Sequence, residues 1–312
     1  MRMRTLVATF GVAALALTAA ACGKDEPSAG GGNSGGNASD SCGELHKFTA
    51  ASGVDVAGSQ TFSKAKSRGN LIVGVKADQP NLGYKDANGK RCGFDIEVAR
   101  MVSAGLGLDP EKIEYKEIPS ANRETAIAGG EIDYYVGTYS ITDKRKKQVS
   151  FAGPYFIAGQ DLLVKADSTI IGPEGLDGKK VCSAQGSTPA KRIQTDHPKA
   201  KLQQFDSYSK CLPLLESGKV DAVTTDDIIL AGYAAQSQYA GKFKVVGKPF
   251  STEPYGIGLK KDDKDGCEKV NEILKTAASD GSYKAAWDAT LGKSGKAAPE
   301  LDTTKLTNCG SV

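Results

Sequence analysis

From about residue 57 onward the chain alternates short apolar runs with amphipathic ones. NLIVGV (70–75) reads as a buried strand, and GFDIEVARMVSAGLGL (93–108) sets apolar residues at 94, 98, 101 and 102, one face of a helix ending in glycines. KIEYKEI (112–118) alternates like a strand, NRETAIAGG (122–130) predicts a short helix, and EIDYYVG (131–137) a buried strand. The order then recurs. KKVCSA (179–184) predicts a strand, STPAKRIQT (187–195) a helix and KLQQF (201–205) a strand. YSKCLPLLESG (208–218) predicts a helix despite Pro213, VDAVTT (220–225) a strand and DDIILAGYAAQSQ (226–238) a helix. Such alternation predicts an α/β fold with mostly parallel sheets.

Two stretches echo each other. Gly130 to Thr138 and Gly218 to Asp226 both run from a helix end through a glycine into a strand, ending on a polar residue. Strand carboxyl ends are where open α/β sheets bind ligands. The echo is either a repeat of two similar lobes or the shared grammar of α/β loops.

The N-terminus has a different pattern. Met1-Arg2-Met3-Arg4 precedes an apolar run at 6–21 that is too short for a membrane span and suits a secretory signal peptide. Thr18-Ala-Ala-Ala-Cys22 resembles the lipobox of bacterial lipoproteins, with Ala19 where leucine is commoner, which makes Cys22 the expected lipidated residue. Several acyl chains would hold a membrane stably. Residues 23–41, GKDEPSAGGGNSGGNASDS, have almost nothing to bury and read as a tether with a reach of about 25 Å.

Composition narrows the classes. At 312 residues, 39% hydrophobic and 25% charged, the chain is long enough for two domains, and a net charge of +3 suggests no nucleic-acid partner. Six cysteines remain besides Cys22: Cys42, Cys92, Cys182, Cys211, Cys267 and Cys309. An even number in an exported chain implies disulfides, and pairing in sequence order is the simplest scheme, Cys182–Cys211 being the safest pair. No C-x-x-C is present, and His46 and His197 stand far apart, so neither a metal site nor any other cofactor is expected.

Four spaced motifs carry a resemblance: GFDIEVA (93–99), SITDKRxxxVxFAGPY (140–155), QGSTP (185–189) and YGIGLKKDD (255–263). Together they resemble the polar amino-acid solute-binding proteins of ABC importers. DQPNLG (78–83) and PSANRET (119–125) bring the glutamate-binding lipoproteins of high-GC Gram-positive bacteria nearest. The resemblance implies a type II periplasmic-binding-protein fold: lobe one at 57–159 plus 254–292, lobe two at 160–253, a two-stranded hinge, and a ligand cleft between them. Residues 1–21 would be the signal peptide, 22–56 the lipidated cysteine and tether, and 293–312 a C-terminal strap anchored at Cys267. It also implies a monomer that hands its ligand to permease subunits with their ATPase.

For the cleft, the resemblance makes Arg145 the partner of the α-carboxylate, where a bidentate guanidinium suits best, with Thr138 and Ser140 completing that pocket. Lys144, Lys146 and Lys147 match nothing functional and read as a solvated face. Ser187 and Thr188 open a helix whose free N–H groups suit an anion; the plain alternative is an N-cap. Asp226 matches the ammonium partner. Lys76 faces the ligand side chain in relatives, and Arg123 with Ser120 matches a second cation–hydroxyl element of acidic amino-acid binders. Gln79 stands where many relatives carry an aromatic lid, and Tyr208 could add a polar ring from lobe two. The expected ligand is L-glutamate, with L-aspartate beside it. The alternatives are glutamine or asparagine binding, and a dehydratase on the same fold. Against the enzyme stand the lack of H-E-x-x-H, no nucleophile–histidine pairing with only two histidines, and a cleft with no obvious spare acid.

Overall fold

The computed structural model describes residues 41–295 and 297–309; the expected signal peptide, Cys22 and residues 23–40 of the tether lie outside the described residues. In chain order the strands are β1 (Ile72–Val75), β2 (Tyr84–Lys85), β3 (Arg91–Cys92), β4 (Glu114–Glu117), β5 (Tyr134–Tyr135), β6 (Val149–Ala158), β7 (Gln160–Lys165), β8 (Lys180–Ala184), β9 (Lys201–Phe205), β10 (Ala222–Asp226), β11 (Phe243–Val245) and β12 (Glu253–Lys260). They form two five-stranded sheets, ordered β4-β1-β5-β12-β6 and β11-β7-β10-β8-β9, with β2 and β3 a small hairpin.

Neither large sheet is mostly parallel, which corrects the expectation from alternation alone. β1 runs parallel to β4 and β5, but β12 is antiparallel to β5 and β6. In the second sheet β8 runs parallel to β9 and β10, while β7 is antiparallel to β10 and β11. The antiparallel strands belong to the segments that carry the chain between sheets. β6 leaves the first sheet, β7 enters the second after Gly159 alone, and β12 brings the chain back beside β6, from Ala158↔Glu253 to Val149↔Lys260. A pairing set by where a distant segment returns leaves no periodic signature.

The echo seen in the sequence is a structural repeat. Gly130 and Gly218 both sit in the left-handed region, at φ 70° and 69°, where glycine meets no Cβ penalty. Each follows a helix end that is closed the same way: Gly130 N–H donates to Ile127 O and Gly218 N–H to Leu215 O, both at 3.1 Å. Three residues on, Asp133 N–H donates to Ile72 O while Ile72 N–H donates back to Asp133 Oδ2, both at 2.7 Å. Asp221 and Lys180 exchange the same pair of bonds at 2.8 and 2.7 Å. One aspartate thus locks the start of a parallel strand pair in each sheet.

Three disulfides are present, Cys42–Cys92, Cys182–Cys211 and Cys267–Cys309, in sequence order. Residues 42–56, read above as the end of a tether, lie against the helix Phe94–Gly105 instead. His46 N–H donates to buried Glu97 at 2.8 Å, Arg100 donates to His46 O at 2.6 Å, and Ala51 N–H donates to Ala104 O at 2.8 Å. Phe48, Val54 and Val56 pack on the core as well, but they are too widely spaced to give a helix or strand periodicity. Residues 297–309 form no helix or strand apart from one turn at Thr303–Lys305, and are held by Cys309 and by Asn271 donating to Thr307 O at 3.0 Å.

Asp133 is 8% exposed and also pairs with Arg68, whereas Asp221 faces solvent. Asp133→Ala strands a buried N–H and is expected to cost about 1–3 kcal/mol, and Asp221→Ala distinctly less, because water replaces the lost acceptor. Urea unfolding of both variants checks the order; equal costs would contradict it.

Candidate ligand site between the two sheets

The loops that follow β1, β5, β8 and β10 meet between the sheets, and most of the site comes from them. β5 ends at a sharp turn: Thr138 adopts φ 46° and its N–H donates to Asp95 Oδ2 at 3.1 Å, while Tyr155 OH donates to Asp95 Oδ1 at 2.7 Å. Asp95 is fully buried, and burial pushes its carboxyl up to about 6. The next residues are tied to β12, Gly256 N–H donating to Tyr139 O and Ile141 N–H to Pro254 O. Thr142 then caps the helical turn Asp143–Lys146.

That turn separates the four cations of the run. Lys144 and Lys147 are exposed, Lys146 is half-buried, and Arg145 is turned inward and 6% exposed. Its Nη1 donates to Ser140 O at 2.7 Å and its Nε to Glu124 at 3.2 Å, while Nη2 crosses the cleft to Gly186 O at 3.1 Å. Ser140 Oγ also meets Thr188 Oγ1 across the cleft at 3.1 Å. Gly186 allows this approach: its φ is 76°, and a Cβ there would stand 2.6 Å from Ala121 Cα.

Ser187 does not offer its hydroxyl to the cleft. It donates to Ala184 O at 2.7 Å and accepts from Ala190 N–H at 3.1 Å, so it is the N-cap of the helix Thr188–Asp196. Thr188 presents the hydroxyl instead. Tyr208 is buried against Ser187 and Thr225, and burial with Asp226 nearby raises its phenol to about 12.

A second cationic group faces the same space. Lys76 Nζ donates to Ser120 Oγ at 2.9 Å and to Ile118 O at 3.3 Å, and Arg123 Nε donates to Ser120 O at 3.2 Å. Lys76 and Arg123 are 6% and 2% exposed, and among the described residues neither has a carboxylate in salt-bridge contact. Burial first, and the neighbouring Arg123 second, lower the Lys76 ammonium to about 7. Asp226, at the end of β10, is the opposite case. Tyr255 OH donates to its Oδ2 at 2.6 Å, its Oδ1 is buried with no partner among the described residues, and burial raises it to about 7. Gln79 accepts from Thr138 Oγ1 at 3.2 Å, leaving its buried Nε2 as an unused donor.

The structure therefore brings together Arg145, Ser140 and Thr188 at one place, Lys76, Ser120 and Arg123 at another, and Thr138 with Gln79; charge coupling links Lys76, Arg123, Arg145 and Asp226. Sequence reasoning missed Glu124, Tyr139 and Asp78. Glu124 is a further acid at the cleft, but it is engaged by Arg145. Asp78 accepts from Tyr233 OH at 3.2 Å and from Ser209 N–H at 3.3 Å, joining the two sides of the cleft away from Arg145. Both acids stand inside quoted motifs, but an acid in a first helical turn or a loop reads as ordinary surface charge.

The profile of the bacterial extracellular solute-binding proteins, family 3, matches residues 71–292. The chain belongs to that family. Glutamate-binding protein GluB of Corynebacterium glutamicum is 42% identical over 250 residues, 77% of this chain and 84% of that protein. A glutamine-binding protein of Geobacillus stearothermophilus is also 42% identical, over 216 residues, 69% of this chain and 81% of that one. An ancestral arginine-binding protein bound to arginine superposes with a TM-score of 0.68 at 38% identity, covering 72% of this chain and 99% of that structure. A family 3 solute-binding protein is an extracytoplasmic receptor rather than an enzyme, and its type II architecture puts the ligand between the lobes that these two sheets build.

A cleft with an unpaired carboxylate oxygen and two unpaired cations suits a zwitterion carrying a further negative charge. Binding would then be linked to protons in two directions. A ligand carboxylate beside Lys76 raises its pKa, so above pH 7 binding takes up a proton and affinity falls as pH rises. A ligand ammonium beside Asp226 lowers its pKa, so below pH 7 binding releases a proton and affinity falls as pH drops. Calorimetric titration from about pH 5 to about pH 9 is expected to show maximal affinity near pH 7. A flat profile would contradict the role of both groups.

Proposed function

We propose that this protein is a lipid-anchored receptor for L-glutamate, accepting L-aspartate as a shorter congener, and that it delivers its ligand to an ABC importer. The observation carrying the ligand reading is the pair Lys76 and Arg123: adjacent, buried, sharing Ser120, and without a carboxylate of their own. An amide side chain would leave both cations without a paired carboxylate, Asp78 and Glu124 acting on them only from a distance, whereas a side-chain carboxylate pairs them directly. In this arrangement Arg145 and Thr188 take the α-carboxylate, Asp226 the ammonium, and Gln79 Nε2 a remaining ligand oxygen. Identity alone does not choose the ligand, because the glutamate- and glutamine-binding relatives stand at the same 42%.

Binding of glutamine, with asparagine as its shorter congener, is the second reading, its glutamine part favoured by the Geobacillus relative; the unpaired cations weigh against it. The anchor rests on Thr18-Ala-Ala-Ala-Cys22 and the basic, apolar segment before it. No helix among the described residues is long and apolar enough to cross a membrane.

Thermal shift across the twenty amino acids is expected to give its largest response with L-glutamate, about 4 kcal/mol at roughly 1,000-fold over Kd. Arg145→Ala should abolish the response to every ligand. A dominant response to L-glutamine would overturn the acidic-ligand reading, and a Cys22→Ala protein that still partitions with membranes would overturn the anchor.

A further inference from the structure

Tyr139 stands between Thr138 and Ser140 but is fully buried, packed in an apolar cluster with Tyr135, Phe151 and Ile127. Its ring carries two cations. The guanidinium carbon of Arg123 lies 4.3 Å from the ring centroid and that of Arg145 lies 5.0 Å from it. The two arginines are held very unequally otherwise. Arg145 has Glu124, Ser140 O and Gly186 O; Arg123 donates to Ser120 O, lies over a second ring, Tyr135, at the longer distance of 5.7 Å to its centroid, and among the described residues forms no salt bridge. Like charges buried this close repel, and each loses its hydration as well. The negative face of an aromatic ring is one of few apolar surfaces that attract a guanidinium.

We propose that Tyr139 is a positioning residue for selectivity: its ring holds Arg123 beside Arg145 in the dry cleft, so that one site can pair both carboxylates of a dicarboxylic amino acid. This rests on the L-glutamate reading and goes beyond it, since it assigns selectivity to a residue that touches no ligand. Without the ring face, Arg145 keeps its three oxygen partners, while Arg123 loses the nearer of its two aromatic faces and keeps one hydrogen bond, to Ser120 O. Binding of an α-carboxylate then survives, and recognition of a second carboxylate weakens. Glu124 cannot substitute, because it is already engaged by Arg145.

The test is the ratio of L-glutamate to L-glutamine affinity, measured by calorimetry. Tyr139→Phe, which keeps the ring, is expected to keep the ratio. Tyr139→Leu should lower L-glutamate affinity by about tenfold or more, the scale of a desolvated cation–π contact, and change L-glutamine binding much less. Should Tyr139→Leu fail to fold, phenylalanine and trifluorophenylalanine placed at 139 by nonsense suppression compare rings of nearly equal size and opposite face potential. The fluorinated ring should then lower the ratio. A wild-type preference for L-glutamine would overturn the ligand reading and this inference together. A wild-type preference for L-glutamate with the same ratio in the Leu and fluorinated proteins would overturn the inference alone.

Discussion

A charge taken out of water needs a partner, and this cleft buries more cations than it partners. Lys76, Arg123 and Arg145 are each at most 6% exposed, yet among the described residues only Arg145 has a carboxylate in salt-bridge contact, Asp78 and Glu124 acting on the other two from farther off. The remaining features follow from that imbalance. Burial pulls the Lys76 ammonium down, and the carboxylate opposite, Asp226, is pushed up with one oxygen unused. Both shifts come first from burial, which keeps the two groups away from solvent. A dipolar ligand with an extra negative charge relieves both at once.

The framework keeps these groups on opposite sides and lets them meet. Each sheet contributes a parallel strand pair locked by an aspartate, with a polar loop at its carboxyl end: Thr138 on one side, Asp226 on the other. β6 and β12 run side by side up to the crossing between sheets, and Tyr255 on β12 donates to Asp226. Asp226 is thus wired to one of the strands through which the two sheets are joined. Across the cleft Arg145–Gly186, Ser140–Thr188 and Asp78–Tyr233 bring the faces together, and glycine at 186 makes the approach possible.

Much of this was legible in the sequence because it is local. Strand 180–184 and the helix after it follow from periodicity, and the internal repeat from two glycines and two aspartates at matched spacing. What was not legible depends on the return path of distant segments. The antiparallel position of β12 could not be read from its own residues, nor could the docking of residues 42–56 through backbone bonds to Glu97 and Ala104. Ser187 and Thr188 show the limit most finely: adjacent hydroxyls at one helix start, of which one caps the helix and the other faces Ser140. Tyr139 was hidden for another reason, since an aromatic residue at a strand end reads as core, and it is core as well as cation support.

The central claim is that unpaired buried cations select the ligand, and it is tested most directly by the L-glutamate and L-glutamine dissociation constants of the wild-type protein and Lys76→Met, measured together by calorimetry at pH 7. The account predicts L-glutamate tighter by about 100-fold or more in the wild type, with most of that advantage lost in the variant while L-glutamine affinity holds or improves. Equal affinities in the wild type, or an L-glutamate preference that survives removal of Lys76 intact, would contradict it.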